Sequence, residues 1–356
     1  MPPSNKRYKW AWIVYGSIHQ KTGGYIYDRI VIDQLRAQGD EISLISLNPR
    51  PFSRRLSALR LAAHLRRLGP DAIVGDELCH RELSVAFSAL GPNPPRIVLV
   101  HHLSAWENET PRPSFFSADS EKSTLLSSHA IIATSFTTQK RLEQEFQIPC
   151  IQVIEPGADR LPLHPHSRAE NSKLILLSVG SLIPRKRQLE LLRAFEKAAV
   201  PNAELVLAGD FYRDLCYFDR IRSALRASAY LQTHVVMRAQ VSDPGLSELF
   251  SKADALVLAS SLEGYGMVIT EAIFAGLPIL CTRAGAVQNI VRHGSEAWVC
   301  DSPDELFLAL KIFLNNEEMR ARMRAAAQQR RETLPSWKGA GRAFRSALIA
   351  AAEKYK

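Results

Sequence analysis

The sequence has no long apolar run. Within its 356 residues, apolar stretches such as Ala255–Ala259 and Pro278–Cys281 fall far short of the roughly 20 residues that a membrane-spanning helix needs. Residues 1–9 also lack the apolar middle of a signal peptide. We therefore expect a cytoplasmic protein. Internal repeats and low-complexity tails are absent as well, which excludes repeat and fibrous architectures.

The sequence also lacks paired cysteines. The five cysteines are odd in number, far apart and without a Cys-x-x-Cys pair, which argues against a disulfide framework and against a structural zinc. They are Cys79, Cys150, Cys216, Cys281 and Cys300. We expect free and mostly buried thiols.

The charge is not balanced, because the chain carries a net charge of +9. Such an excess suits nucleic acid, an anionic membrane surface or a phosphorylated ligand equally well. Its densest basic stretch, Arg50–Arg67, interleaves arginines with leucines at helical spacing. The arginines are Arg54, Arg55, Arg60, Arg66 and Arg67, and the leucines are Leu56, Leu59, Leu61, Leu65 and Leu68. Two interpretations stay open: an ordinary domain helix with a solvated arginine face, or a surface for an acidic acceptor or for peripheral contact with the inner membrane face.

Short β-rich runs alternate with longer segments twice along the chain, which predicts two parallel sheets covered by helices. The first set comprises residues 10–15, 41–47, 71–74, 97–100, 130–133 and 151–154, and the second comprises 174–179, 204–208, 234–237, 255–258, 278–281 and 297–299. Between them, residues 157–172 are rich in proline and histidine and indicate an interdomain linker. We predict an α/β protein with Rossmann-like domains at 1–160 and 173–335 and a last helix within 336–356. Two such domains bind ligands beyond the carboxyl ends of their strands, so we expect a central cleft.

The segment Ser260–Gly276 is the most informative. It follows the predicted strand 255–258, contains a glycine-bearing loop and leads into a helix, whose first N–H groups can meet an anion. Glu263 lies in the loop, and Glu271 would lie about two turns into a helix that begins near Gly264. The two carboxylates could accept hydrogen bonds from sugar hydroxyls. Equally, Glu263 could cap the helix and Glu271 could belong to a solvated face.

These residues resemble a known family. Glu263-Gly264-Tyr265-Gly266, Glu271-Ala272 and Gly276-Leu277-Pro278 look like the signature of the family-four retaining glycosyltransferases, which have the GT-B fold of two Rossmann-like domains. The likeness covers nearly the whole chain. It extends to Gly23-Gly24, Val100-His101, the stretch from Val179-Gly180 to Lys186, and Ser336-Trp337, which begins a C-terminal helix that returns to the first domain in that fold.

The resemblance implies a role for each matching residue. Glu271 would bind the donor ribose, and Glu263 would contact the transferred sugar with help from backbone amides near Tyr265, Gly266 and Met267. Lys186 and Arg185, in the phosphate loop that begins at Gly180 and Ser181, would neutralise the diphosphate, which Gly23 and Gly24 would also approach. His101 would lie near the anomeric carbon, although a core role for it, or a functional role for His102 in its place, stays open.

The implied reaction is a front-face displacement with retention, in which the departing phosphate takes the acceptor proton. The hexose would come from a nucleotide-diphosphate sugar, which is a substrate and not a cofactor. The sequence has no Asp-x-Asp motif, and its closest match, Asp119-x-Glu121, has no strand before it. We therefore expect no metal, and expect Arg, Lys and helix N-termini to meet the diphosphate charge.

Two other functions fit this sequence, and the identity of the acceptor stays open. A sugar-nucleotide epimerase shares this architecture, and a non-catalytic nucleotide-binding or nucleic-acid-binding protein would suit the basic charge. Scattered aromatic residues disfavour nucleic acid, which needs stacking surfaces beside basic groups. The acceptor, a saccharide, a lipid-linked sugar or another hydroxyl, would meet N-domain loops such as Ser104–Ser117. Ser181 departs from the family, which usually has arginine there, so Arg185 or Arg187 would have to supply that charge.

Overall fold

A computed structural model describes residues 6–107, 115–148, 151–167 and 173–355. The chain forms two compact units: the first combines Met1–Gly157 with Ser336–Lys356, and the second is Ala158–Pro335. Three expectations fall partly or wholly outside the described residues. They concern Cys150, residues 108–114 of the predicted acceptor loop and residues 168–172 of the predicted linker.

The first unit is a parallel six-stranded sheet in the order β2-β1-β3-β4-β5-β6. Every residue of β3 and β4 is buried, as expected for parallel strands covered on both faces. The strands are β1 (Lys9–Tyr15), β2 (Glu41–Leu47), β3 (Ala72–Asp76), β4 (Arg96–Val100), β5 (Ala130–Ala133) and β6 (Gln152–Val153). The helices are α1 (Gly23–Ala37), α2 (Arg54–Leu68), α3 (His80–Ala89), α4 (Phe115–Leu126), α5 (Phe136–Phe146) and the C-terminal α14 (Trp337–Lys354).

The second unit is a parallel six-stranded sheet in the order β12-β11-β10-β7-β8-β9. Apolar clusters such as those around Phe195 and Ile269 form its core. Its strands are β7 (Leu174–Val179), β8 (Ala203–Ala208), β9 (Val235–Arg238), β10 (Ala255–Leu258), β11 (Ile279–Thr282) and β12 (Ala297–Cys300). Its helices are α6 (Gln188–Ala198), α7 (Leu215–Ala227), α8 (Ala229–His234), α9 (Asp243–Lys252), α10 (Met267–Phe274), α11 (Val287–Ile290), α12 (Pro303–Asn315) and α13 (Glu317–Arg330).

The strand order of each sheet reverses at one point, and ligands of open α/β sheets bind beyond the carboxyl ends of the strands at such points. In the first sheet β1 lies between β2 and β3, so the chain moves from one side of β1 to the other. In the second sheet β7 lies between β8 and β10. The loops that follow β1, β3, β7 and β10 are therefore where the fold favours a ligand.

The C-terminal helix α14 packs on α1 within the first unit. The ring of Phe344 stacks on Trp12 with centroids 5.2 Å apart, and Trp337 meets Tyr27 edge-on at 5.6 Å. Arg345 forms a buried ion pair with Asp40, with Nε of Arg345 2.8 Å from Oδ2 of Asp40. These contacts join residues more than 300 positions apart, so the first unit is completed only by the end of the chain.

Two segments differ from the sequence-based description. The leucines of α2 do not share one apolar face, because Leu61 and Leu65 are buried while Leu56 and Leu59 are exposed. The beginning of the predicted linker is packed on the second unit: Leu161 is buried in its core, and Ser167 donates its backbone N–H to the carbonyl of Ser251 (2.9 Å).

The described cysteines are free thiols. Cys79, Cys281 and Cys300 are buried and Cys216 is exposed. Burial raises the pKa of the Cys79 thiol, which keeps it protonated and unreactive. Within the described ranges, no helix has the length and apolarity needed to cross a membrane.

Candidate active site

A hydrogen bond joins the loops that follow β7 and β10, which are neighbouring strands of the second sheet. Nζ of Lys186, after β7, lies 2.6 Å from Oε1 of Glu263, after β10. Ser260 donates its hydroxyl to the same carboxylate oxygen, also at 2.6 Å. Two of the residues predicted from the sequence therefore meet at the reversal point of the sheet, where the fold favours a ligand.

The Lys186–Glu263 pair is charged and largely buried. Burial alone would raise the pKa of Glu263, but Lys186 and Arg185 outweigh it and hold the pKa of that carboxyl below its usual value. Arg185 also donates to the carbonyl of Leu262 (3.2 Å). Gly180 lies beside Lys186, since a Cβ on this glycine would be 3.6 Å from Cε of the lysine. Ser181, the next residue, accepts a hydrogen bond at its carbonyl from the Gln188 side chain.

Helix α10 begins next to this pair. It starts at Met267, so Glu271 lies about one turn into the helix and not two, as we expected from a start near Gly264. Gly266 directly precedes the helix with φ at 102°, a conformation that residues with a Cβ rarely adopt. Tyr265 before it is buried. The first N–H groups of α10 have no acceptor inside the helix and carry its positive dipole end, so this turn suits an anion.

Glu271 is buried against a residue that the sequence did not single out. Nε of Arg160 donates to Oε1 of Glu271 at 2.8 Å, and Nη1 of the same guanidinium lies 2.6 Å from Oδ1 of Asp243. Arg160 belongs to the segment that we predicted as a linker. In the sequence, Arg160 is a single basic residue within the predicted linker. Nothing near it in the chain indicates a partner 111 positions away.

In the first unit, His101 follows β4 and lies beside α1. Its Nε2 is 3.1 Å from Oδ1 of Asp28, whose other oxygen accepts a hydrogen bond from the indole of Trp12 (3.2 Å). Gly23 and Gly24, which we expected to approach the diphosphate, form the first turn of α1. A Cβ on Gly24 would lie 3.0 Å from the His101 ring, so a side chain at this position would displace the imidazole.

His101 is the cationic centre of an acidic cluster. Burial lowers its pKa, but Glu77, Asp28 and Asp76 more than compensate and raise that pKa to about 9. Burial raises the pKa of both Asp76 and Glu77. Ligand atoms of Asp28, Asp76 and His101 lie within 4.8 Å of one another, close enough for a shared cation. Only a neutral imidazole has a lone pair to offer to a metal, so a cation at this cluster would have to displace a proton from His101.

Two other predicted groups have local partners. Glu121, of the weak Asp119-x-Glu121 match, is buried and accepts hydrogen bonds from the backbone N–H groups of Ser104 (2.8 Å) and Ala105 (3.3 Å). Nε2 of His102 lies 2.9 Å from Oε1 of Glu107. Glu121 therefore holds the start of the predicted acceptor loop.

The chain matches two family descriptions. The first, "Glycosyl transferases group 1", is matched over residues 159–330, and the second, "Glycosyltransferase Family 4", over residues 31–160. A curated relative, the N-acetyl-alpha-D-glucosaminyl L-malate synthase of Bacillus anthracis, is 26% identical over 161 residues, which are 44% of this chain and 40% of the relative. The chain thus spans less than half the length of that relative.

Solved structures share the fold at low identity. Sucrose-phosphate synthase from Thermosynechococcus elongatus superposes with a TM-score of 0.82 at 18% identity, covering 97% of this chain and 100% of that one. HepE from Anabaena, solved in complex with UDP and glucose, gives 0.77 at 14% identity, with 97% and 100% covered. The two Rossmann-like units therefore have the GT-B fold. The chain belongs to the family-four, group 1 glycosyltransferases.

Proposed function

We propose that this protein is a retaining glycosyltransferase that moves a hexose from a nucleotide-diphosphate sugar to a hydroxyl acceptor without a metal ion. The observation that carries the proposal is the Lys186–Glu263 contact at the sheet reversal, beside the N-terminus of α10. It brings cationic and hydrogen-bond-accepting groups together, which is what a sugar diphosphate requires. The UDP and UDP-glucose complexes of HepE support this class of donor.

Each side chain has a task in this reaction. Lys186, with Arg185 beside it, would donate to the diphosphate and balance its negative charge. Glu263 would accept from sugar hydroxyls, Glu271 from the ribose, and the first N–H groups of α10 would meet a phosphate oxygen. His101 would act as an imidazolium that donates to the sugar or the phosphate.

The chemistry needs no protein nucleophile. The bond between the anomeric carbon and the diphosphate oxygen breaks, the acceptor oxygen bonds to the same face of that carbon, and the acceptor proton passes to the departing phosphate. Cations placed where the negative charge grows stabilise the transition state. The basic residues around Glu263, which can meet the diphosphate charge, support a reaction without a divalent ion.

A panel of UDP-, GDP- and ADP-sugars tests this proposal by thermal shift and turnover in the presence of EDTA. A donor at a hundred times its Kd stabilises the fold by about 2.7 kcal/mol. We expect one nucleotide class to raise Tm and its sugar to be transferred with the anomeric configuration kept, as followed by NMR. Binding of none of the three, inversion of the product, or a strict need for metal would contradict the proposal, and conversion of the sugar without an acceptor would indicate an epimerase.

We further propose that α2 brings this enzyme to a lipid-linked acceptor by contact with an anionic membrane. Phe52 is fully exposed, and Leu56 and Leu59 are 46% and 45% exposed. The same helix carries four exposed arginines, Arg55, Arg60, Arg66 and Arg67, and residues 42–70 contain no acidic residue. Exposed apolar groups between arginines suit the boundary between lipid headgroups and acyl chains.

Cosedimentation with vesicles tests this surface. Wild type should bind vesicles that contain phosphatidylglycerol and not pure phosphatidylcholine, and Leu56→Gln with Leu59→Gln should weaken that binding while leaving donor binding intact. Leu308→Gln is the matched control, because Leu308 is also about half exposed (50%) but lies in the second unit. Equal binding by the double variant and wild type would leave α2 as an ordinary solvated helix.

A further inference from the structure

Arg160 is the buried partner of a carboxylate that the proposed function needs. It follows the boundary between the units directly, and its side chain is only 8% exposed. Its guanidinium spans two carboxylates, one from the first turns of α10 and one from the start of α9. Glu271 of α10 would bind the ribose, whereas Asp243 of α9 has no role in the proposed reaction.

A ribose-binding carboxylate has to be ionised, because only the ionised form is purely an acceptor. Glu271 is buried, and burial raises the pKa of this carboxyl, whereas Arg160 opposes the rise and the Asp243 charge adds to it. Arg160 is therefore the charge that favours an ionised Glu271, and Asp243 in turn keeps the guanidinium in place.

The hydrogen bond also fixes geometry. Nε of Arg160 holds Oε1 of Glu271 at 2.8 Å, and Nη1 of the same guanidinium is held by Asp243, so the position of this carboxylate oxygen is fixed. The other oxygen, Oε2, is then the one that would accept from the ribose hydroxyls. We propose that Arg160 is a positioning residue, which holds the Glu271 carboxylate in the orientation and charge state that donor binding requires. This inference rests on the proposed function.

A purely structural role would have a different signature. An ion pair that only ties residues 158–167 to the second unit would lower stability when broken, yet it would not make nucleotide affinity depend on pH. If Arg160 contacted the nucleotide directly, its loss would weaken nucleotide binding whether or not Glu271 carries a charge. A positioning residue acts only through Glu271, so its effect should vanish when Glu271 is neutralised.

The test is calorimetric titration of UDP, GDP and ADP into wild type, Arg160→Gln, Arg160→Lys, Glu271→Gln and the double variant Arg160→Gln with Glu271→Gln, between pH 6.5 and 9. For the diphosphate that binds wild type, Arg160→Gln should weaken affinity about 10- to 100-fold at pH 7, the effect of losing a charged hydrogen bond. Affinity should recover as pH rises, because Glu271 then ionises without its partner. Arg160→Lys, which keeps the charge, should lose less.

The double variant decides between the roles and also guards against misfolding, since it leaves neither charge unpaired in a buried site. It should bind as Glu271→Gln does. Arg324→Gln is the control: Arg324 is another part-buried arginine of this unit, which donates to the carbonyls of Ala253 and Asp254 before β10, and its loss should leave affinity unchanged.

Separate outcomes identify separate failures. If wild type binds no diphosphate, the proposed function fails and this inference with it. If Glu271→Gln weakens binding while Arg160→Gln and wild type bind equally, only the positioning role is wrong. A loss with Arg160→Gln that is independent of pH, or that is as large in the Glu271→Gln background, would also overturn it.

Discussion

At the scale of single residues, Lys186 is the side chain on which the proposed reaction depends most. It touches Glu263, lies beside Gly180 and is largely buried. Removing Lys186 takes away the positive charge that would stabilise the departing phosphate. It also leaves the buried carboxylate of Glu263 with one positive neighbour fewer. The adjacent Arg185 donates a hydrogen bond to the carbonyl of Leu262, so it is not placed to replace Lys186 fully.

We predict that Lys186→Ala lowers kcat about 10²- to 10³-fold, the usual effect of losing one preorganised charge at a transition state. Initial rates with the donor found in the panel measure it, and circular dichroism checks the fold. Lys252→Ala is the control, because Lys252 forms an exposed ion pair with Glu248 in the same unit. Wild-type rates in Lys186→Ala would mean that the site is misassigned.

Asp28 should govern the charge of His101. In Asp28→Asn the imidazolium loses one of the carboxylates that raise its pKa to about 9, so that pKa should fall. Because the charged form exists below the pKa, the alkaline fall in kcat/KM should move to lower pH. NMR titration of the His101 ring gives the pKa directly, and an unchanged pKa would show that Asp28 does not hold the proton.

Sequence patterns found some of these residues and missed others for a physical reason. Glu263 was indicated by its place in the loop after a predicted strand, whereas Lys186 and His101 were indicated by the resemblance to the family. Arg160 and Asp28 contact partners 111 and 73 positions away. Such pairs are created by folding, and no local spacing reveals them.

At the scale of elements, the twelve predicted strands are all present, with ends within two residues of the prediction. Buried parallel strands are short apolar runs bounded by polar loops, so their signal is local and strong. The start of α10 was misplaced by three residues, since Gly264, Tyr265 and Gly266 belong to the loop. The packing of residues 158–167 was also missed, because side-chain contacts and not periodicity create it.

The entry to α10 should be sensitive at Gly266. We predict that Gly266→Ala destabilises the protein by about 1–2 kcal/mol, because alanine resists this φ, and also weakens nucleotide affinity by displacing the first N–H groups of the helix. Gly294→Ala is the matched control: its φ is 79° and a Cβ there would meet nothing within 4 Å. Calorimetry should show weaker nucleotide binding in Gly266→Ala alone, and equal affinity in both variants would contradict a role for this turn.

The C-terminal helix should be essential to the first unit. Phe344 is fully buried, so Phe344→Ala should cost about 3–5 kcal/mol of unfolding free energy. Tryptophan fluorescence during urea unfolding reports it, since four of the five tryptophans (Trp10, Trp12, Trp106 and Trp337) belong to this unit. Lys338 is exposed, so Lys338→Ala should change the free energy of unfolding little. Equal stability of the two variants would show that α14 does not contribute to the core of this unit.

At the scale of the whole molecule, each of the two units carries groups that the proposed chemistry would use. The second holds basic and acidic groups at its sheet reversal, and the first holds an imidazolium among carboxylates. The net charge of +9 was uninformative by itself. Its meaning comes from placement, with Lys186 and Arg185 at the candidate site and the arginines of α2 on an exposed face.

Amide hydrogen exchange with and without UDP, GDP and ADP, in EDTA, locates the bound nucleotide on the protein. A nucleotide held between the phosphate loop and α10 should slow exchange in peptides that cover residues 180–188 and 263–271. An exposed segment of the second unit, residues 292–294, should be unaffected. Protection confined to other segments, or none with any of the three nucleotides, would contradict the account.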